Sequence, residues 1–500
     1  MRVLMLNSPW VNTENEYCVK AGTRWAAVRR KDRSLQYFPF PYFMASTVAF
    51  LREAGFDASM RDAVADELSR EESLARDEAL APDLIVIEAF TPSIEVDLEY
   101  ARAAKARTGA RIAFCGAHPT ALPEAMLEDG AVDYVLLEEY DFPLRDLCRA
   151  LEDGEPGADA LRAVKGLCFR NASGEAERTP RRTDTFDYDE MPLPVYDGLP
   201  MLKYTEPLSR FYPTARVVTS RGCPHNCSFC IEPLVAGRNY RRRSIDKVVA
   251  EIRGLQERFG VREIYFDDAI LTIPRTKEIA RGLIEHGLDI AWTAWVDWRI
   301  RYDDLQLLAE SGCVGIKFGV ESASDLVRES VGKGKLVQVE KIRRAVANCK
   351  ELGVFAHGSF LAGGPGETKR SLQDTIDLCF DLGLDSSQWS IATPLPGTPF
   401  YRQAVEEGWL VSDRWADYDP LNACVLQYEE CGPADIVAGL DQVRRRKAQQ
   451  FLGDPRRALG YLWKSYRMMG PKRFTLDVLK KARFVASSVT SQRRASAPPR

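Results

Sequence analysis

The chain has no apolar run approaching the roughly 20 residues that cross a bilayer, so a membrane-spanning helix is not expected. Its opening, MRVLMLNSPW, holds one arginine and no extended apolar core, and a secretory leader is not expected either. Cysteine is sparse. Twelve in 500 residues fall far below disulfide-scaffold density, and nine stand singly, several among apolar neighbours, as in Phe114-Cys115-Gly116 and Leu378-Cys379-Phe380. Such cysteines read as reduced, buried small hydrophobes, and a cytoplasmic location is the expectation. Net charge is nearly absent at −4, which gives no whole-chain argument for nucleic acid.

An apolar content of 45% and a charged content of 28% are those of an ordinary soluble globular protein. A single core rarely grows beyond roughly 250–300 residues, so two to four domains are expected. The small net charge hides an asymmetry: residues 441–500 carry 16 Lys+Arg against 3 Asp+Glu, a net of +13, which leaves −17 on residues 1–440.

Residues 1–150 alternate strand and helix patterns. Val3–Leu6 is a short apolar run without alternation, as in a strand buried on both faces. Further strands are predicted at Phe56–Arg61, Leu84–Ile87, Arg111–Phe114 and Tyr134–Leu136, with helices at Pro41–Ala54, Ile94–Lys105 and Pro123–Leu127. This order predicts a doubly wound parallel sheet with right-handed crossovers, binding ligands beyond the carboxyl ends of its strands. The residues there are Asn7-Ser8-Pro9, Thr91-Pro92-Ser93, Gly116-Ala117-His118 and Glu138-Glu139. No GxGxxG follows the first strand, which disfavours a dinucleotide.

Residues 151–210, with Gly154, Pro156, Gly157, Gly174 and the proline-spaced MPLPVYDGLP, read as a linker holding a small hairpin that turns at Asn171–Gly174. Over 211–405 the rhythm resumes. Strands are predicted at Arg216–Thr219, Glu263–Phe266, Ile290–Trp295, Gly315–Val320, Phe355–Phe360 and Ser387–Ile391. Helices are predicted at Ile245–Phe259, Lys277–Glu285, Asp303–Ser311, Val337–Glu351 and Lys369–Asp381. Six βα units predict a partial barrel whose chemistry lies at the carboxyl ends of the strands. Trp292, Trp295 and Trp298, around the third strand, either shape a pocket there or belong to the core.

At the first of those ends lies RGCPHNCSFC, residues 221–230, with Cys223, Cys227 and Cys230 inside eight residues. Three thiolates on a four-iron, four-sulfur cluster would leave one iron open to an outside molecule. A structural zinc needs four ligands, with His225 as a fourth; a thioredoxin-like pair would use only Cys227 and Cys230. Pro224 keeps the segment from forming a helix.

The spacing CxxxCxxC, with Phe229 just before the last cysteine, resembles the radical S-adenosylmethionine (SAM) signature. Together with CGAHPTALPE upstream, roughly residues 1–405 resemble the cobalamin-binding radical SAM enzymes. The resemblance implies that Cys223, Cys227 and Cys230 hold a 4Fe-4S cluster. It implies SAM contacts at Phe229, at Asp267 and Asp268 after the second barrel strand, at Glu321 after the fourth, and at Gly363 and Thr393 after the fifth and sixth. Cobalamin contacts are implied at Ser8, Thr91, Ser93, Gly116, His118 and Glu139. This chain has Ala117 where the family has the second glycine of Gly-Gly-x-His, and Leu137-Glu138-Glu139-Tyr140 where it usually has Gly-Glu-Gly-Glu. It lacks Asp-x-His-x-x-Gly, so no histidine ligand to cobalt is implied.

The implied chemistry is reductive cleavage of SAM to a 5′-deoxyadenosyl radical, hydrogen abstraction, and methylation of an unactivated carbon (less often phosphorus) through methylcobalamin. The substrate would be a secondary metabolite or lipid-like molecule, and the electrons would come from a partner such as flavodoxin or ferredoxin. The alternatives are radical cyclisation or rearrangement without methyl transfer and, more remotely, a cobalamin sensor or carrier, against which the intact cysteine loop stands. No side chain that acts on the substrate is assigned. Residues 406–500 read as a helical, basic extension, with helices at Asp435–Leu452 and Pro455–Met469. In the second, Tyr461, Trp463 and Tyr466 interleave with Arg457, Lys464 and Arg467, a pattern that suits a lid over the barrel or peripheral contact with an anionic membrane.

Overall fold

The computed structural model describes residues 1–453 except 12, 14–15, 21–26, 31–36, 153, 155, 183–185, 207 and 335–338. Two sheets organise it. The first comprises β1 (Arg2–Asn7), β2 (Asp57–Asp62), β3 (Leu84–Glu88), β4 (Arg111–Cys115), β5 (Tyr134–Leu136), β6 (Leu167–Arg170) and β7 (Ala176–Arg178). Their order is β2-β1-β3-β4-β5-β6-β7, and the first five are parallel. The unalternated apolar runs follow from burial on both faces: Val3, Met5 and Val86 pack with Val48, Leu51 and Leu144, while Leu4, Leu6, Ile85 and Ile87 pack with Tyr100 and Ala101. Winding reverses between β1 and β3, which sets the switch point beside Ser8 and Thr91.

The hairpin expected inside the linker forms, yet it belongs to the sheet. Strand β6 pairs antiparallel with β5, and β7 with β6. Leu167, Cys168 and Phe169 are buried there, so the apolar edge of β5 is covered by chain that its glycines and prolines had marked as connecting.

The second sheet comprises β8 (Thr214–Val217), β9 (Glu263–Leu271), β10 (Ala291–Val296), β11 (Cys313–Glu321), β12 (Phe355–Ala362) and β13 (Ser386–Ile391). All six are parallel and in chain order, a half-barrel. The helix expected at Ile245–Phe259 has those bounds; Ser244 caps its start and left-handed Gly260 its end. Outward residues Phe266, Trp292, Ile316 and Phe318 pack on the helices through Ile252, Leu283, Leu308 and Val346. The alternate residues of the same strands, among them Arg216, Tyr265, Thr293, Trp295, Lys317 and His357, therefore line the inside. Trp292 is thus core, whereas Trp295 faces inward.

A short hairpin, Tyr17–Val19 with Val28–Arg30, was not legible in the sequence. Asp419 accepts from the Arg29 backbone N–H at 2.9 Å, and Asn422 donates to its carbonyl at 2.6 Å. The expected helix near Asp435–Leu452 runs from Pro433 to Gly453 and lies on the flank of the half-barrel, where Lys447 donates to the Ser387 carbonyl at 2.6 Å. The helix expected at Pro455–Met469 lies outside the described residues. Among those residues no helix is long and apolar enough to cross a membrane.

Candidate active site

The carboxyl ends of the two sheets meet. Ala117, after β4, packs with Ile231 and Leu395 from the barrel rim. Arg221, two residues before Cys223, sends its guanidinium into the first sheet's loops, with Nη1 2.5 Å from Asp141 Oδ2 and 3.5 Å from Glu139 Oε1. Arg241 reaches the other oxygen of Glu139 at 2.6 Å. The cysteine loop is thereby tied to the first sheet at its base.

Backbone geometry builds the loop. Asp268 accepts from the Thr219 N–H at 3.1 Å and the Thr219 hydroxyl at 3.0 Å, and also from the Ser220 hydroxyl. Gly222 has φ +81°, and a Cβ there would lie 2.2 Å from the Asn239 carbonyl oxygen, so only glycine fits. The Cys223 N–H donates to Gly237 at 3.2 Å, the Ser228 N–H to Val331 at 3.3 Å and the Cys230 N–H to Cys227 at 3.2 Å. Cys223 is buried; Cys227 and Cys230 are half-buried. Burial pushes the Cys230 thiol up to about 12, and the Cys227 and Cys223 thiols lie near enough to add to that shift. Among the described residues no three Cys, His, Asp or Glu side chains are gathered to close on one metal ion. A four-iron cube is larger than one ion and spaces its ligands further apart, so three neighbouring thiols in a wrapped loop fit a cluster better than zinc.

Above the loop, the end of β11 is strained. Glu321 has φ +65°, rare for a residue with a side chain, and a register shift falls between Gly319 and Glu321. Such bulges re-aim a side chain. Glu321 here pairs with Lys333, whose ammonium stands 5.8 Å from the centre of the Phe229 ring. Burial works against the Lys333 ammonium, but the Glu321 carboxylate, with the Cys227 and Cys230 sulfurs, outweighs it and holds the group well above the usual lysine range. A cation beside the thiols fits the carboxylate of SAM. Gly363, φ +84°, donates its N–H to Glu367 at 3.2 Å and accepts from the Tyr428 hydroxyl at 3.0 Å. Thr393 donates to the Ile391 carbonyl. The two adjacent aspartates part company: Asp267 points inward to an ion pair with Arg216 at 2.9 Å, while Asp268 serves the cysteine loop.

At the first sheet's edge, Ser8 and Ser93 both donate to buried Asp97, at 2.5 and 2.7 Å, which also pairs with fully buried Lys20. Glu139 is occupied by the two arginines. Thr91 and His118 Nδ1 are hydrogen-bonded at 3.1 Å, and the Trp415 ring, from beyond the barrel, meets the imidazole edge-on at 5.1 Å. Among the described residues His118 Nε2 has no hydrogen-bond partner although it is buried, and burial pushes the imidazole down to about 4. Gly116 has φ +102°, and a Cβ there would lie 2.8 Å from the Ala89 carbonyl oxygen. That packing holds the loop close against β3, and an orphaned buried nitrogen at the switch point fits a bound corrin.

Residues 217–379 match the radical SAM superfamily and residues 35–146 the B12 binding domain. An uncharacterised methyltransferase of Pyrococcus horikoshii is 31% identical over 387 residues, 76% of this chain and 82% of that one. The chain belongs to the cobalamin-binding radical SAM enzymes. The cofactors of this family are a 4Fe-4S cluster, SAM and cobalamin, and its members need a source of electrons. An anaerobic magnesium-protoporphyrin IX monomethyl ester cyclase of Cereibacter sphaeroides is 30% identical over 73% of this chain, which spans 60% of the cyclase. The radical SAM methyltransferase TsrM of Kitasatospora setae superposes with a TM-score of 0.64, at 19% identity, over 82% of this chain and 77% of that one; at that identity the likeness shows the fold.

Sequence reasoning missed Lys333, the Arg221–Asp141 pair and Trp415. For Lys333 a signal existed, Gly332-Lys333-Gly334. Gly332 is required because a Cβ there would lie 2.7 Å from the Asn226 carbonyl oxygen.

Proposed function

We propose that this enzyme is a cobalamin-dependent radical SAM methyltransferase acting on an unactivated carbon of a small or lipid-like molecule. In this reading Cys223, Cys227 and Cys230 hold the cluster. Phe229, Glu321, Lys333, Gly363 and Thr393 surround SAM, and Thr91, Gly116 and His118 border the corrin. The observation that carries it is the junction of Arg221 with Asp141 and Glu139, which ties the cysteine loop to the loops at the carboxyl edge of the first sheet. When bound, the cofactors supply reductive SAM cleavage, a hydrogen-abstracting radical and a methyl donor.

The chain's own part is to position them. Asp268 and Gly222 fix the loop, Lys333 offers a cation to a carboxylate, and the half-barrel excludes water from the reacting carbon. The Pyrococcus horikoshii relative's name supports methyl transfer. The cyclase relative keeps a radical ring-forming reaction as the second reading, with the same residues on the cofactors. A flavodoxin or ferredoxin would supply electrons in the cytoplasm, and the basic residues 441–500 suit contact with an anionic surface. The test is anaerobic turnover of cell extract metabolites with CD3-labelled SAM. A product heavier by one labelled methyl group is expected; 5′-deoxyadenosine with no labelled product would overturn methyl transfer.

A further inference from the structure

We infer that Trp415, carried by the barrel, is a positioning residue for cobalamin. With Thr91 it fixes the His118 ring at the first sheet's edge, so corrin binding by one domain depends on the other. This rests on reading that edge as the cobalamin site.

The supports of Trp415 belong to the barrel. It opens the helical turn Trp415–Asp417, within a segment that leaves and rejoins the barrel at neighbouring points. There the Val411 N–H donates to the Val425 carbonyl at 3.0 Å and the Gln427 N–H to the Trp409 carbonyl at 2.9 Å. A compact excursion between such close ends is an Ω-loop. Inside it Ser412 donates to Asp417 at 2.7 Å, and the Tyr418 hydroxyl to the Ser412 carbonyl at 3.2 Å. The Tyr418 ring is buried with Leu361, Ala392 and Phe400, and the Ile391 N–H, at the end of β13, donates to the Pro420 carbonyl at 2.8 Å. Trp415 packs with that barrel-end cluster and also with the cluster on the first sheet that holds Ile94 and Ala101. The barrel thus sets the loop, and the loop delivers one ring to the other domain.

That ring meets His118. A neutral imidazole presents one donor and one acceptor. Thr91 engages Nδ1 at 3.1 Å, and Trp415, edge-on, blocks the rotation that would release it. Nε2 is left as a buried nitrogen with no hydrogen-bond partner among the described residues, in a side chain whose residue is 1% exposed. A polar atom left unmet at that depth is destabilising, and phenylalanine would pack against Trp415 without it. An unmet nitrogen in a ring fixed from two sides is a ligand contact held ready, and the barrel supplies one of the two fixtures.

The test is equilibrium dialysis of anaerobically reconstituted full-length protein against hydroxocobalamin, read by corrin absorption. Trp415→Ala should weaken binding roughly three- to tenfold, the worth of an edge-on ring contact. Trp415→Phe, which keeps a ring, should stay within about twofold. In a His118→Ala background Trp415→Ala should change the affinity by less than about twofold, because the group it positions is gone. A contact that only supports the loop would give equal losses in both backgrounds. Equal losses overturn the assignment, and so does unchanged or tighter binding by Trp415→Ala; tighter binding would show that the indole occupies the ligand's place. NMR of protein labelled with 13C-histidine decides without the Trp415 variants. The chain has four histidines, and the His118 resonance, assigned by its loss in His118→Ala, should move when wild type takes up hydroxocobalamin. A resonance that stays put refutes the contact. No binding by wild type refutes the cobalamin reading itself, so the two ideas fail distinguishably.

Discussion

Replacing Arg221 by methionine is expected to uncouple the two sheets. The guanidinium is 2% exposed and the Asp141 carboxylate 4%, so the variant strands a buried charge. Among the described residues Asp141 would keep only the Thr47 hydroxyl, which donates at 2.7 Å, and Glu139 would keep Arg241. The Phe43 and Tyr188 rings, whose centres lie 5.1 and 5.2 Å from the guanidinium carbon, lose the cation between them. Breaking such a buried pair from one side costs about 3–5 kcal/mol, a fall of at least about 6 °C in the melting temperature of a unit of 150–250 residues. Adding Asp141→Asn removes the stranded charge while preserving an acceptor for Thr47. The double variant should therefore recover about 2 kcal/mol relative to the sum of the singles. Urea unfolding of the four proteins, with hydrogen exchange over residues 219–230, measures both quantities. An Arg221→Met cost below about 1 kcal/mol, or strict additivity, would refute the idea that this pair joins the two cofactor edges.

Gly222→Ala should cost at least about 2 kcal/mol, because it adds left-handed strain to a backbone clash, and should lower iron content after reconstitution; iron and sulfide analysis checks this against Cys313→Ala, which should load normally. Lys333→Met should raise the SAM dissociation constant roughly tenfold by removing a charge-assisted bond, as read by anaerobic equilibrium dialysis. His118 carries a pH signature. Its imidazole is held neutral to about 4, so below the ordinary value of about 6.5 the unfolded chain takes up the proton first and stability falls until about pH 4. The loss should total about 3 kcal/mol and be absent in His118→Asn. Glu88, raised to about 7 by burial, acts oppositely over part of that range, so the difference between wild type and variant isolates the histidine.

The buried strands were legible because two-sided burial writes unbroken apolar runs, and the cysteine loop because its ligands are close in sequence. Contacts between distant segments were not. Strand β6 reads as connecting chain until β5 offers it an edge, and Lys317 reads as one more lysine until the register sets it between Tyr265 and Trp295. The pair Asp267-Asp268 is the instructive case. Neighbours along a strand point to opposite faces, so the two carboxylates share a motif but not a task, one serving Arg216 inside the barrel and the other the loop before Cys223.

The most direct measurement is 5′-deoxyadenosine formed from SAM by the anaerobically reconstituted, reduced protein and its single cysteine variants. Wild type and Cys313→Ala should form it, and Cys223→Ala, Cys227→Ala and Cys230→Ala should not. Formation by any variant of the loop, or none by wild type with its cluster intact, would contradict the account.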